Sequence, residues 1–268
     1  MQRYGWDRAA EVYERSWQRQ LAPAQQRLLE LAAICPGEQI LDVACGTGLV
    51  TFPAAQCAGS GGFVLATDLS DEMVERVNRE AVRRGMNHVH AQRVAAEEIA
   101  TPDQPFDVAL CALGLMYITD PAAVLRAMHS ALWPGGRAIV AVWGARERCG
   151  WSQLFPIVDR IVRSEVCPLF FDLGDGDALR AAMQGAGFID IDVERIETIL
   201  SYDSGDEACD AAFAGGPVAL AYSHFDPPTR AHVDREYLRS LEAWRQGETY
   251  HVPAEFVVAR GVRPGDYS

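Results

Sequence analysis

The stretch Ile40-Leu41-Asp42-Val43-Ala44-Cys45-Gly46-Thr47-Gly48 decides the fold. An apolar run breaks into a turn of small residues. A second apolar run, Phe63-Val64-Leu65-Ala66-Thr67, ends on Asp68 about twenty residues later. Small residues let a backbone approach a ligand closely, and a carboxylate at the tip of the next strand can accept two hydrogen bonds from a ribose diol. The pair therefore points to a nucleoside site.

Which nucleoside follows from the spacing. A dinucleotide fold asks for G-x-G-x-x-G, with backbone N–H groups aimed at a pyrophosphate. Here the small residues fall at every second position, Ala44, Gly46 and Gly48, behind an acid within the strand, Asp42. That acid sits poorly beside a phosphate and well beside a cationic or zwitterionic ligand. Ala44 is tolerable in such a turn if its φ stays negative.

Outward from this stretch the chain alternates apolar strand-like runs with helical patterns. Strands are expected near 38–44, 63–68, 88–94, 106–112, 137–143 and 189–196, the last continuing irregularly to about 202, with a final strand over Glu255 to Gly261. Helices are expected over 48–58, over 71–84 with Ser70 as N-cap, from Asp120-Pro121 to Leu132, over 151–167 and over 177–186. The N-terminal 35 residues carry helical periodicity through Val12, Leu21, Leu28, Leu31 and Ile34, and Pro23 predicts a break into two helices. Residues 203–250 predict two or three inserted helices. The organisation is one α/β domain: an N-terminal helical lid (1–35), a core (36–202), the insertion (203–250), and a last strand with tail (251–268).

Two further signals accompany the first. Phe106-Asp107-Val108-Ala109-Leu110-Cys111-Ala112 is a buried-strand run, and Trp133-Pro134-Gly135-Gly136 precedes another, Arg137 to Val142. In this order and spacing the chain resembles the class I S-adenosylmethionine-dependent methyltransferases, with Ala44 in place of the first glycine of their acid-then-G-x-G-x-G motif. The resemblance implies a Rossmann-like seven-stranded, mostly parallel sheet of order 3-2-1-4-5-7-6 with helices on both faces.

It also implies a cofactor site at the carboxyl ends of the strands. Gly46, Gly48 and Ala44 would let the backbone approach the ligand, and Asp42 would anchor its methionine part. Asp68 would take the ribose hydroxyls, Leu69 and Met73 would flank adenine, and Ala112, at the end of the fourth strand, would line the same crevice. Many relatives place an acid after the third strand to receive the adenine amino group, where this chain has Ala95. Adenine recognition then falls to the backbone at Ala96, with or without Glu97. The aromatic N-terminus, Tyr4, Trp6, Tyr13 and Trp17, resembles the lid helix of the ubiquinone/menaquinone-type enzymes, with Tyr13 near the sulfonium.

After the fourth strand the sequence reads Ala112-Leu113-Gly114-Leu115-Met116-Tyr117, without the [DNS]-P-P-[YFW] string of enzymes that methylate nucleobase amines. The net charge of −13 opposes a nucleic-acid partner. The acceptor is therefore expected to be a small organic molecule of apolar character. Tyr117, Trp143 and Phe171 are its candidate lining, with Tyr222 and His224 contributed by a lid hinged at Gly215-Gly216-Pro217; no general base is assigned. All 24 basic residues are Arg, which excludes Lys chemistry. Seven cysteines without a C-x-x-C pair, and His88 and His90 without a third ligand, give no metal site. No run is long enough to span a membrane, and the polar N-terminus is unlike a signal peptide, so a cytoplasmic location is expected. The inserted helices fit either a substrate lid or a homodimer interface. Two alternatives to methyl transfer keep the same cofactor site: a non-transfer reaction, or binding without turnover.

Overall fold

The structure, a computed structural model, describes residues 2–214 and 218–265, with backbone alone for 2–16 and 214. Its strands are β1 (Gln39–Val43), β2 (Phe63–Asp68), β3 (Val89–Arg93), β4 (Phe106–Ala112), β5 (Leu132–Trp143), β6 (Ile189–Tyr202), β7 (Arg245–Gln246) and β8 (Thr249–Val262). The sheet order is β3-β2-β1-β4-β5-β8-β6, with the short β7 paired to β8. Neighbours from β3 through to β5 run parallel, while β8 lies antiparallel between β5 and β6. Apart from β7, this is the expected order.

The helices are α1 (Gln2–Ala32), α2 (Thr51–Ala58), α3 (Asp71–Arg84), α4 (Pro121–Ala131), α5 (Leu154–Val162), α6 (Ala178–Gly185), α7 (Gly205–Cys209), α8 (Ala219–Ser223) and α9 (Pro227–Ser240). Right-handed crossovers running outward from β1 to β3 put α2 and α3 on one face of the sheet; the reversed crossover from β4 to β5 puts α4 on the other. α1 packs beside α3 and against β4, β5 and β8. The strand order reverses between β1 and β4, so a crevice opens outside their carboxyl ends.

Local chemistry sets the element ends. Ser70 accepts from the Met73 N–H at 3.2 Å, Gly85 closes α3 in the left-handed conformation, and acids then arginines occupy its first and last turns. Asp120 caps α4 through the Ala123 N–H at 2.9 Å, with Pro121 opening the helix.

Four expectations need correction. Residues 2–32 form one helix that runs through Pro23. Trp17, Leu21, Ala24, Leu28 and Ala32 make one continuous buried face, and this packing outweighs the roughly 3 kcal/mol that an interior proline costs. The helix expected over 151–167 is a 3₁₀ turn followed by α5. It stops where Arg163 turns left-handed (φ 53°), and the Asp159 carboxylate takes the Val166 N–H at 2.7 Å.

The Pro134-Gly135-Gly136 segment is an irregularity inside β5, whose register against β4 shifts between Phe106 and Val108. Gly135 donates to Arg263 O at 2.9 Å and Arg263 donates back to Gly136 O at 2.8 Å. The last strand begins at Thr249, before Pro253. Beyond the Trp143–Phe256 pair β8 has no β5 neighbour, so the proline costs no ladder bond on that side. The 203–250 insertion contains α7–α9, a π-helical turn (Asp210–Ala214) and the β7–β8 hairpin.

Candidate cofactor site

The carboxyl ends of β1 to β4 converge on a cleft. Its wall includes Asp42, Ala44, Cys45, Gly46 and Thr47 after β1, Asp68, Leu69 and Met73 after β2, Val94 to Glu97 after β3, and Ala112 to Gly114 with Tyr117 and Ile118 after β4. Gln25 of α1 completes it.

Asp68 organises the two turns that face each other across this cleft. One carboxylate oxygen accepts the Gly46 N–H at 2.9 Å, and the other accepts the Ser70 N–H at 2.9 Å. These two bonds fix the carboxylate in the cleft wall. The β1 turn is tied down as well: Cys45 N–H donates to Thr67 O at 2.9 Å and Gly48 N–H to Cys45 O at 3.0 Å.

Asp42 lies beneath this turn, 1 % exposed. The Thr51 hydroxyl donates to its Oδ2 at 2.6 Å. Burial pushes its carboxyl up to about 7; the Thr51 bond opposes this and the Asp68 charge adds to it. A buried carboxylate with one oxygen committed is a receptor for a cation, since a cationic ligand restores the ionised form. Burial likewise holds Cys111 at about 12 and Cys45 well above its ordinary value, so neither thiol is a nucleophile at neutral pH.

Two glycine-turn positions behave differently from expectation. Ala44 adopts φ +55°, the sign the sequence reading disallowed for an alanine. Gly48 does not line the cleft. It sits at φ +88°, and a side chain there would come within 2.6 Å of the Phe52 ring, so its role is to let α2 and α3 close on the turn. Its neighbourhood is a separate groove, which Thr47 shares with Arg79, Arg83 and Arg84.

Of the expected cofactor residues, the structure brings together Asp42, Ala44, Gly46, Asp68, Leu69, Met73, Ala96, Glu97 and Ala112. The side chains of Tyr4, Trp6 and Tyr13 lie outside the described residues, as do Gly215, Gly216 and Pro217.

The acceptor-side expectations divide. Tyr117 lines the cleft and meets Phe170 edge-on at 5.1 Å. Trp143 does not reach the cleft: it is 2 % exposed, stacked on Phe256 at 4.2 Å and packed against Trp17 and Trp151. Phe171 belongs to the same aromatic core through Trp151 at 5.7 Å. Tyr222 is a strut inside the insertion. Its ring stacks on Phe213 at 4.9 Å and its hydroxyl donates to Asp234 at 2.9 Å. His224 is exposed at the end of α8, its Nδ1 2.8 Å from Leu220 O. Neither Tyr222 nor His224 lines the cleft, because α8 packs on α1 and α5 rather than over the strand ends.

Gln25 and Thr47 were not singled out from the sequence. Thr47 sits within the motif, but nothing in the spacing shows its hydroxyl to be buried without a partner. Gln25 lies outside every motif.

The turn, the fixed Asp68 carboxylate and the buried Asp42 carboxyl together suit a nucleoside bearing a cationic group, on a Rossmann-like sheet. Comparison with known proteins agrees. Residues 40–136 match the model of a methyltransferase domain family. The chain is 28% identical to a nocamycin O-methyltransferase of Saccharothrix syringae, over 97% of this chain and 98% of that protein. It is 37% identical to a ubiquinone/menaquinone biosynthesis C-methyltransferase of Shewanella frigidimarina, over 43% of this chain and 47% of that one. The match thus spans less than half the length of the Shewanella relative. Among solved structures, a phosphoethanolamine N-methyltransferase of Haemonchus contortus in complex with S-adenosyl-L-methionine superposes with a TM-score of 0.62 at 17% identity. That superposition covers 96% of this chain and 57% of that chain.

The matched domain, the relatives and the fold support an S-adenosylmethionine-dependent methyltransferase of class I. Among the described residues no helix is long and apolar enough to cross a membrane, and no group of three metal-ligating side chains occurs.

Proposed function

We propose that the chain transfers a methyl group from S-adenosylmethionine to an acidic O–H of a small, largely apolar organic molecule, a phenol, enol or carboxylic acid, bound beside Tyr117. The observation that carries this reading is the composition of the cleft wall after β4. Ala112, Leu113, Gly114, Tyr117 and Ile118 offer apolar surface and one phenol, while the acids Asp42, Asp68 and Glu97 belong to the other walls. No carboxylate or imidazole stands at the acceptor end among the described lining residues. An acceptor that is ionised on arrival needs no base there. A relative matched along nearly its whole length is named an O-methyltransferase, which supports oxygen over carbon or nitrogen as the accepting atom.

The cofactor, when bound, supplies a methyl group on a cationic sulfur. The chain's residues supply position and dryness. Asp68 holds the ribose, and Leu69, Met73, Ala96 and Glu97 form the adenine wall. Asp42 lies under the cationic end, where its charge opposes departure of the cofactor before transfer. Tyr117, held edge-on by Phe170, forms an apolar floor that excludes water from the reacting pair. The helical insertion packs on α1 and α5 and serves as a substrate lid or a homodimer contact. The chain's net charge of −13 keeps nucleic acid out of its partners, and we place its work in the cytoplasm.

The test is incubation of the purified protein with isotope-labelled methyl donor and fractionated small-molecule extract, with the product identified by mass. Label on an oxygen of an acidic small molecule supports the reading. Label on protein or nucleic acid, or a protein that binds no S-adenosylhomocysteine, overturns it.

A further inference from the structure

Beyond the cleft, the loop after β5 combines a fixed backbone with an uncommitted cation. The Gly144 N–H donates to Glu255 O at 2.6 Å and the Ala145 N–H to the Glu255 carboxylate at 3.3 Å. The carbonyl of Arg146 then takes the Cys149 N–H at 3.1 Å and the Ser152 hydroxyl at 3.3 Å. Glu255 and Ser152 are themselves buried. The side chain of Arg146 is exposed, and its guanidinium makes no hydrogen bond or ion pair with any described residue. It rests instead over two rings, 5.9 Å from the centroids of both Phe155 and Phe171. Arg195, Arg148 and Arg160, by contrast, are committed, to Glu255 at 2.6 Å, to Glu197 at 3.7 Å and to Glu236.

The rings beneath Arg146 lead to the cleft. Phe155 and Phe171 meet Phe170 at 5.1 and 5.0 Å, and Phe170 meets Tyr117, in the cleft wall, at 5.1 Å. Phe155, Phe170 and Phe171 are buried, so they act as a support that fixes the two ends relative to each other. The ends themselves are open to a ligand, Tyr117 half-buried and Arg146 exposed.

We propose that Arg146 anchors an oxyanion, a carboxylate, that the methyl acceptor carries in addition to the O–H methylated beside Tyr117. This rests on the reading of the Tyr117 wall as the acceptor side. A guanidinium holds a carboxylate by two parallel N–H···O bonds, which fixes the direction of the bound molecule as well as its distance. Anchored there, an apolar body that reaches Tyr117 presents its other end to the cofactor. A molecule without the second anion still meets the apolar wall, but in no fixed pose. Arg146 thus selects which acidic molecules are methylated and takes no part in the transfer itself.

The experiment treats unfractionated small-molecule extract with the full chain and isotope-labelled donor, then passes the labelled product over an anion-exchange resin at pH 5. At that pH carboxylates are charged and phenols are neutral. The wild-type product should be retained, because one anionic group survives methylation. Arg146→Gln keeps an aliphatic stem over the rings and loses the charge. It should need about tenfold more extract for half-maximal labelling, the low end for a charged hydrogen bond because the site is open to solvent. Its maximal rate and its affinity for S-adenosylhomocysteine should match wild type, and Arg146→Lys should recover part of the loss. Added salt should raise the half-saturating amount of extract for wild type and leave that of Arg146→Gln unmoved. A product that passes through the resin, or an Arg146→Gln protein that labels as wild type does, overturns the assignment. Absence of any oxygen-labelled small molecule overturns the methyl-transfer reading instead, a distinct outcome.

Discussion

The methyl group of Ala44 occupies the space that Gly114 leaves open: a Cβ on residue 114 would lie 2.5 Å from the Ala44 Cβ. Ala44 holds the left-handed conformation at φ +55°, which costs an L-residue roughly 1–2 kcal/mol. The turn after β1 and the turn after β4 thus leave room for a Cβ at only one of these two positions.

The first prediction is a coupled pair. Gly114→Ala should destabilise the chain by about 1–3 kcal/mol through overpacking. Ala44→Gly should change stability by less than about 1 kcal/mol, since relief at positive φ is offset by glycine's backbone entropy. In the double variant the clash disappears, and most of the Gly114→Ala loss should be recovered. Denaturant unfolding of the four proteins measures the coupling; additive losses would show that the two turns relax independently.

Asp42 makes both stability and binding depend on pH. Its folded carboxyl titrates near 7, against about 4 in an unfolded chain. The folded state therefore holds an extra proton between these values. The stability this confers is complete below about pH 4 and is lost as pH rises through 7. Asp42→Asn abolishes that slope and should raise the melting temperature more at pH 8 than at pH 5. Wild-type affinity for the cationic donor should rise between pH 6 and 8 as the carboxylate forms, by up to about tenfold per unit below its pKa. In Asp42→Asn the affinity should be flat over this range.

Asp68→Ala removes the proposed ribose acceptor and also the partner of the Gly46 and Ser70 N–H groups. S-adenosylhomocysteine should bind about 10²-fold more weakly or worse, the loss of two charge-assisted hydrogen bonds. Titration calorimetry decides it, and an unchanged dissociation constant would mean the ribose lies elsewhere.

Arg137 closes the C-terminal end of α1. Its guanidinium donates to the carbonyls of Ala32 and Ala33 and to both Glu38 carboxylate oxygens at 2.8 and 2.9 Å. Burial raises the Glu38 carboxyl, but the Arg137 pair and the Cys35 N–H more than offset this and hold it below its ordinary range. Arg137→Ala should cost about 2–4 kcal/mol of stability. Thermal unfolding tests this, with the largest deficit expected at neutral pH, where the deserted Glu38 is charged.

The convergence of the cleft residues was legible because its information is local. Asp42, Gly46 and Asp68 stand at positions fixed by strand ends and short turns, and period and spacing reveal those. Ala44 was misread because the sign of its φ is tied to Gly114, seventy positions away in sequence. α1 was misread for a similar reason: what carries the helix through Pro23 is the buried face it presents to the sheet. The acceptor side was hardest. Trp143 ends β5 and Phe171 lies in the segment after α5, and in either place a ligand-lining aromatic and a core aromatic look alike in sequence. Only packing shows that both serve the core, as it shows Tyr222 bound to Asp234 within the insertion.

The ties on α1 bear on how the chain is made. Gln20 donates to Ser201 O at 2.8 Å across 181 positions, and Arg27 grips Glu194 with two bonds of 2.7 Å across 167. Contacts of such separation form late, after the loop between them has closed. During synthesis the first helix can dock on β4 and β5 once they emerge, but its Gln20 and Arg27 ties wait for strand β6. The Asp42–Asp68 half of the pocket can assemble from the first hundred residues, whereas the ties that flank Gln25 are complete only when about three-quarters of the protein exists.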